Sequence, residues 1–212
     1  SYNVKINQMG FGFRGQAENA AIVTAARIHA QGKALDKNLQ YRVKQILRNE
    51  LSFRQIEYAT LVGKDFKIIV NANKNRTGQV FNPNNLVSEA LKKQKQIKTS
   101  EIISAKELQS EAPPLYFQGS NQDNLIRYTV TPVKDPETGS LIGALISGDI
   151  VNNKSSIVTN ALKPFQSGYN AVYQRSSDGQ LTVASSINLQ PGIELNKAQF
   201  GYTISDRSFL QA

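Results

Sequence analysis

Residues 128–150, YTVTPVKDPETGSLIGALISGDI, constrain the fold more than any other part of the 212-residue chain. Two runs of alternating apolar residues flank the turn-forming sequence Asp-Pro-Glu-Thr-Gly, so the segment reads as an antiparallel hairpin. With residues 135–139 as the loop, Lys134 faces Ser140, Arg127 faces Ser147 and Leu125 faces Asp149. Successive side chains of a strand point to opposite faces, so Arg127, Thr129, Ser147 and Asp149 share one face. In this register Arg127 and Asp149 are diagonal neighbours, within reach of long side chains. Ile126, Tyr128, Val130, Ala144 and Ile146 make the opposite, more apolar face, which is expected to pack under a helix. The polar group then either supports the fold or meets a ligand.

The rest of the chain supplies partners for that hairpin. Phe13, Ala17, Ala20, Ala21, Thr24, Ala25 and Ile28 follow three-four spacing and predict one helix over about 13–30, ended by Gly32. Its alanine-rich face permits the close approach of another helix. A second helix is predicted over 36–55, capped by Asp36, with Leu39, Val43, Ile46, Leu47 and Phe53 as its apolar stripe. Residues 57–73 read as a hairpin turning at Gly63-Lys64-Asp65. Asn82 and Pro83 open a further helix, with Asn as cap and Pro at the first helical position. A strand at 97–105 and a loop through Pro113-Pro114 lead to the opening hairpin. A helix over 152–166 and a hairpin over 168–187, turning at Asp178-Gly179, then repeat the helix-hairpin order of 36–73. The expectation is an α+β fold: long N-terminal helices packed on an antiparallel sheet, followed by a second, smaller or truncated αβ unit. The corresponding division is an N-terminal helical region 1–56, a sensor module 57–151, and a linker helix with a partial second module 152–212.

Composition removes several classes of function. Cysteine is absent and His29 is the only histidine, which excludes thiolate and Ser-His chemistry and His-cluster metal sites. No Gly-rich phosphate loop or nucleophile elbow is present, and no close carboxylate pair stands out for acid-base work. The net charge of +9 invites a nucleic-acid reading. The densest basic run, LKKQKQIK at 91–98, lies at a helix end where lysines complement the dipole, and no aromatics interleave it. A positive field also suits an anionic ligand.

The segment TPVKDPETGSLIGALISGDI resembles the last hairpin of Cache domains, the extracytoplasmic PAS-like sensor modules of bacterial receptors. Their proline-valine strand, D-x-x-G turn and strand ending in Asp-Ile match this sequence, and LVGKDFKIIVNAN is similar to their first hairpin. The resemblance covers about 10–150, and the second hairpin matches a double-module arrangement. The whole chain also resembles input domains of cyanobacterial histidine kinases, cyclases and chemotaxis transducers.

The resemblance implies a periplasmic or extracellular domain that binds a small, anionic or zwitterionic metabolite. Membrane attachment is expected through spans flanking the chain, and dimerisation within the parent receptor. It implies no cofactor, no catalysis in this segment and no nucleic acid. Asp149 matches the terminal acidic position, and Arg127, Thr129 and Ser147 join it as expected ligand contacts. Arg76 lies on the loop that borders the pocket in PAS-like folds, and Tyr116 before the last hairpin is placed to cover it. The structural alternative for Arg127 and Asp149 is a cross-strand ion pair. The alternative for the whole chain is a scaffold or dimerisation domain without a small ligand.

Overall fold

The computed structural model describes residues 2–113, 123–152, 154–162, 164–165, 167–175 and 179–189. Three helices come first: α1 (Tyr2–Ala17), α2 (Ala20–Ala30) and α3 (Lys37–Arg54). The single helix expected over 13–30 is therefore broken. The Asn19 side chain accepts a hydrogen bond from the Ala21 amide at 3.0 Å and starts a new helix where the periodicity alone runs on. Asp36 caps α3 as expected, its carboxylate accepting from the Leu39 amide at 2.8 Å. The helix ends at Gln55, which takes a left-handed conformation at φ 51°.

Strands β1 (Tyr58–Gly63) and β2 (Ile68–Asn71) form the first hairpin. A 3-10 turn, Pro83–Asn85, precedes α4 (Leu86–Lys93). Asn82 still caps α4 across that turn, accepting from the amides of Val87 and Ser88 at 2.9 and 3.2 Å. Strand β3 (Ile97–Ile103) leads into α5 (Ala105–Glu111), a helix in the stretch where the sequence pattern predicts a loop. Strands β4 (Asn124–Lys134) and β5 (Leu141–Ile150) make the hairpin of residues 128–150. The chain continues through α6 (Ser155–Leu162) into the hairpin β6 (Gly168–Arg175) and β7 (Leu181–Leu189).

The five strands β1–β5 form one sheet in the order β2-β1-β5-β4-β3, antiparallel at every pairing, and β6-β7 pair separately. This is a PAS-like α+β fold. Alternation along the strands divides the core between the two sheet faces. On one face α1, α2 and α3 bury Phe13, Ile22, Val43 and Leu47 against Ala59, Leu61 and Leu145. On the other, α4 and α5 bury Val87, Ala90 and Leu108 against Tyr58, Ile126, Tyr128 and Ile146. The helix expected over the apolar face of the long hairpin is thus α4, joined by α5. Ala17, Ala21, Ala25 and Ala26 are buried in the first core, so the small face of these helices closes on their own sheet.

The register of the long hairpin departs from the simple reading. Asp135 pairs with Ser140, its amide donating to the Ser140 carbonyl at 2.8 Å, and Lys134 pairs with Leu141. A bulge then inserts Ile142, so that Val133 meets Gly143. Together these shifts set Arg127 directly opposite Asp149 and Thr129 directly opposite Ser147. Arg27 of α2 holds the turn, its guanidinium donating twice to Asp135 at 2.7 and 2.9 Å.

Gly148 lies between Tyr58 and Tyr128 on the neighbouring strands. A Cβ there would come within 2.9 Å of Tyr128 Cε1 and 3.0 Å of the Tyr58 Cβ. Its absence lets the two rings meet edge to face across the middle strand, their centroids 5.8 Å apart.

Candidate functional site

The expected site residues fall on both faces of the sheet. Arg127, Thr129, Ser147 and Asp149 share the face under α1, and all four are buried. Arg127 Nε donates to Asp149 Oδ2 at 2.8 Å, and Nη2 donates to the same oxygen. Nη1 donates to the Tyr2 carbonyl at 2.8 Å, and the guanidinium lies 4.5 Å from the centroid of the Tyr2 ring. The second Asp149 oxygen accepts from Lys154, which also donates to Glu57 Oε1 at 2.8 Å. Glu57 accepts in turn from the Ile150 amide at 2.8 Å. Burial raises the Glu57 carboxyl above its ordinary value, against the opposing pull of Lys154. Thr129 and Ser147 share a hydrogen bond of 2.5 Å between their hydroxyls. Two cations and two anions therefore close on one another, and the group ties α1 and the start of α6 to three strands.

Arg76 belongs to a second group, on the face under α4 and α5. It leaves the sheet just after β2 and is only 4% exposed. Nη1 donates to Glu107 at 2.7 Å and to Glu111 at 2.8 Å, Nη2 reaches Glu107 at 3.2 Å, and Nε donates to Gln79 at 3.0 Å. Glu107 and Glu111 are one turn apart on α5, so one arginine holds that helix to the sheet edge. The amides of Asn71 and Asn73 also donate to Glu111, each at 2.9 Å. Burial pushes the Glu111 carboxyl up to about 6 despite these donors.

Aromatic rings continue the group inward. The Arg76 guanidinium lies 5.3 Å from the centroid of Phe81, Phe81 stacks on Tyr58, and Tyr58 meets Tyr128. Both tyrosines are fully buried, and neither hydroxyl has a hydrogen-bond partner of normal geometry among the described residues. Burial, reinforced by Glu111 and Glu107, raises the Tyr58 hydroxyl. Tyr128 rises in the same direction, from burial first and then from its neighbours Tyr58 and Glu111. A buried hydroxyl without a well-formed partner costs about 1–3 kcal/mol, and these two lie close enough to act on each other. Tyr116 lies outside the described residues.

Sequence reasoning selected Arg76 but missed Glu107, Glu111, Asn71, Asn73 and both tyrosines. One signal was present: Ser104-x-x-Glu107 is a helix-start pattern, and the Ser104 hydroxyl accepts from the Glu107 amide at 3.3 Å. Once a helix starts there, Glu107 and Glu111 share a face. Their joint partner is set by the tertiary fold, which no local pattern announces.

No protein-family model matches this sequence, and no curated protein does. Among solved structures, the chain is similar to the periplasmic domain of Vibrio cholerae LuxQ, at 10% identity and a TM-score of 0.56. That match covers 92% of this chain and 76% of the LuxQ domain. It is also similar to the sensor domain of the V. cholerae histidine kinase DctB, at 12% identity and a TM-score of 0.53. There it covers 82% of this chain and 62% of the other. At these identities the likeness is one of fold: this chain shares its fold with the LuxQ periplasmic domain and the DctB sensor domain.

Proposed function

We propose that this chain is the extracytoplasmic, ligand-sensing input domain of a transmembrane signalling receptor: a histidine kinase, a chemotaxis transducer or a cyclase. The fold shared with the LuxQ periplasmic domain and the DctB histidine kinase sensor domain carries this reading. Residues 57–151 are the Cache-type sensor module, 1–56 the helical relay, and 152–212 a linker helix and part of a second module. Among the described residues no helix is long and apolar enough to cross a membrane. Membrane attachment through spans flanking this chain is part of the same proposal.

The ligand is a small anionic or zwitterionic metabolite seated against Arg76, Tyr58 and Tyr128. Its acid group competes with Glu107 and Glu111 for Arg76, and its polar groups meet the tyrosine hydroxyls. Engagement of Arg76 loosens its hold on α5 and shifts the sheet edge. The Arg127–Asp149–Lys154–Glu57 group passes that shift to α1, whose first turn hangs on Arg127 through the Tyr2 carbonyl, and to α6, which follows Lys154. In this reading Arg127 and Asp149 transmit and Arg76 recognises. A receptor dimer would carry the signal as a change in helix packing.

One observation favours the scaffold or dimerisation reading. Val4 and Phe11, a heptad apart on α1, are 50% and 74% exposed and offer an apolar strip to a second copy. The two readings are compatible if dimerisation and sensing share α1.

The test is a thermal-shift screen against amino acids, carboxylates, nucleobases and amines. A ligand present at about a hundred times its dissociation constant stabilises the fold by about 2.7 kcal/mol. A folded domain that no compound stabilises would leave the scaffold reading first. The tyrosines give a companion prediction. Tyr128→Phe removes a buried hydroxyl that lacks a partner, so urea unfolding should show a gain of about 1 kcal/mol together with weaker binding of any hit. A loss of stability would mean that the hydroxyl is satisfied.

A further inference from the structure

A cleft of about 590 Å³ opens at the C-terminal end of α3, beside the edge of the sheet. Its volume lies within the range of small-molecule sites. The floor is apolar, made by Leu51, Ile56, Ala72 and Ala112. The polar groups on its walls differ in how far they are committed. Lys154 is bound by Glu57 and Asp149, and Glu57 by Lys154 and the Ile150 amide. Asn73 donates to the Glu57 carbonyl at 2.8 Å and to Glu111 at 2.9 Å. Arg48 is different. Its Nε donates to the Ala72 carbonyl at 2.9 Å, which fixes the guanidinium plane at the rim. Among the described residues no carboxylate pairs with it, and both terminal nitrogens keep their donors.

An arginine oriented by one hydrogen bond, with two donors left over an apolar floor, is suited to a carboxylate with a hydrocarbon body. The donors take the carboxylate in a fork, and the body covers Leu51 and Ile56. Amines are disfavoured, because the wall's carboxylate, Glu57, is already held by Lys154. We infer that this cleft is a second small-molecule site, which binds a monocarboxylate bearing a short aliphatic or aromatic body through Arg48. The inference does not depend on the sensor reading, since neither Arg48 nor the floor belongs to the Arg76 group. Asn73 borders the cleft and also binds Glu111, so occupancy here would be felt by α5.

The experiment is a titration with hexanoate followed by methyl NMR at Leu51 and Ile56, with hexanol as the uncharged control of equal length. Wild-type protein should show saturable shifts at both methyl groups in the millimolar range, with hexanol weaker by about tenfold. Arg48→Gln, at an exposed position, should weaken hexanoate by about tenfold and leave hexanol unchanged. Ser52→Trp, also at an exposed position lining the cleft, should fill it and abolish both titrations. The inference is overturned by any of three results on folded protein: no methyl shifts up to about 10 mM hexanoate, equal binding of hexanol, or hexanoate binding that survives Arg48→Gln.

Discussion

Arg127→Ala should destabilise the domain by about 3–5 kcal/mol, the usual loss when one partner of a buried ion pair is removed. The substitution leaves Asp149, which has no exposed surface, with Lys154 as its one remaining hydrogen-bonded cation, while Lys154 must also serve Glu57. It also removes the donor to the Tyr2 carbonyl and the cation over the Tyr2 ring, so α1 loses its hold on the sheet. Urea unfolding with an unchanged denaturant slope measures the loss directly. A loss below about 1 kcal/mol would place the pair among weakly contributing surface bridges. Replacing both charges at once, as Arg127→Met with Asp149→Leu, should recover much of the loss, because well-packed apolar pairs often match buried ion pairs in stability. If Arg127 transmits and does not recognise, this double variant keeps its ligand affinity and loses the coupling to α1.

The second large effect depends on pH. Arg76→Met removes the cation from two carboxylates on α5, one of them fully buried, and should cost about 3–5 kcal/mol at pH 8. In the wild-type protein the Glu111 carboxyl is already raised from 4.5 to about 6. The folded state thus binds this proton more tightly than the unfolded chain does. Its contribution to stability is fully present below pH 4.5, declines as pH rises through that window, and is lost above about 6. The rise corresponds to about 2 kcal/mol. Without Arg76 the carboxyl rises further, so the window extends to higher pH. Below pH 4.5 Glu111 is protonated in both states of both proteins, and the variant loses less. Unfolding at pH 4.5 and pH 8 should therefore show a difference between wild type and variant that grows with pH. An equal loss at both values would show that Arg76 does not set the ionisation of Glu111.

Much of this architecture was legible because it rests on alternation and local capping. Strand parity alone put Arg127, Thr129, Ser147 and Asp149 on one face and Tyr128 with Ile126 on the other. Asp36 marked the start of α3 through a single side chain. The features that escaped depend on one inserted residue or on distant partners. Ile142 adds a bulge that no alternation rule reveals, and it helps turn a diagonal Arg127–Asp149 pair into a direct one. Asn19 breaks a helix within an otherwise continuous apolar stripe because its side chain satisfies the Ala21 amide. Gly143 of β5 answers to its neighbouring strand and not to the alanines of that stripe, since a Cβ there would come 2.4 Å from the Val62 carbonyl oxygen. Glu107 and Glu111 are ordinary residues of a short helix until the chain brings Arg76 to them from 31 and 35 residues away.

The most direct test of the sensor reading is isothermal titration of a ligand found by the thermal-shift screen. Wild type would be compared with Arg76→Gln and with the Tyr58→Phe, Tyr128→Phe double variant. Both variants should remain folded and lose affinity by at least about tenfold, the tyrosine pair while gaining stability. Affinity within about twofold of wild type in both variants would contradict the account and move recognition away from the α4–α5 face.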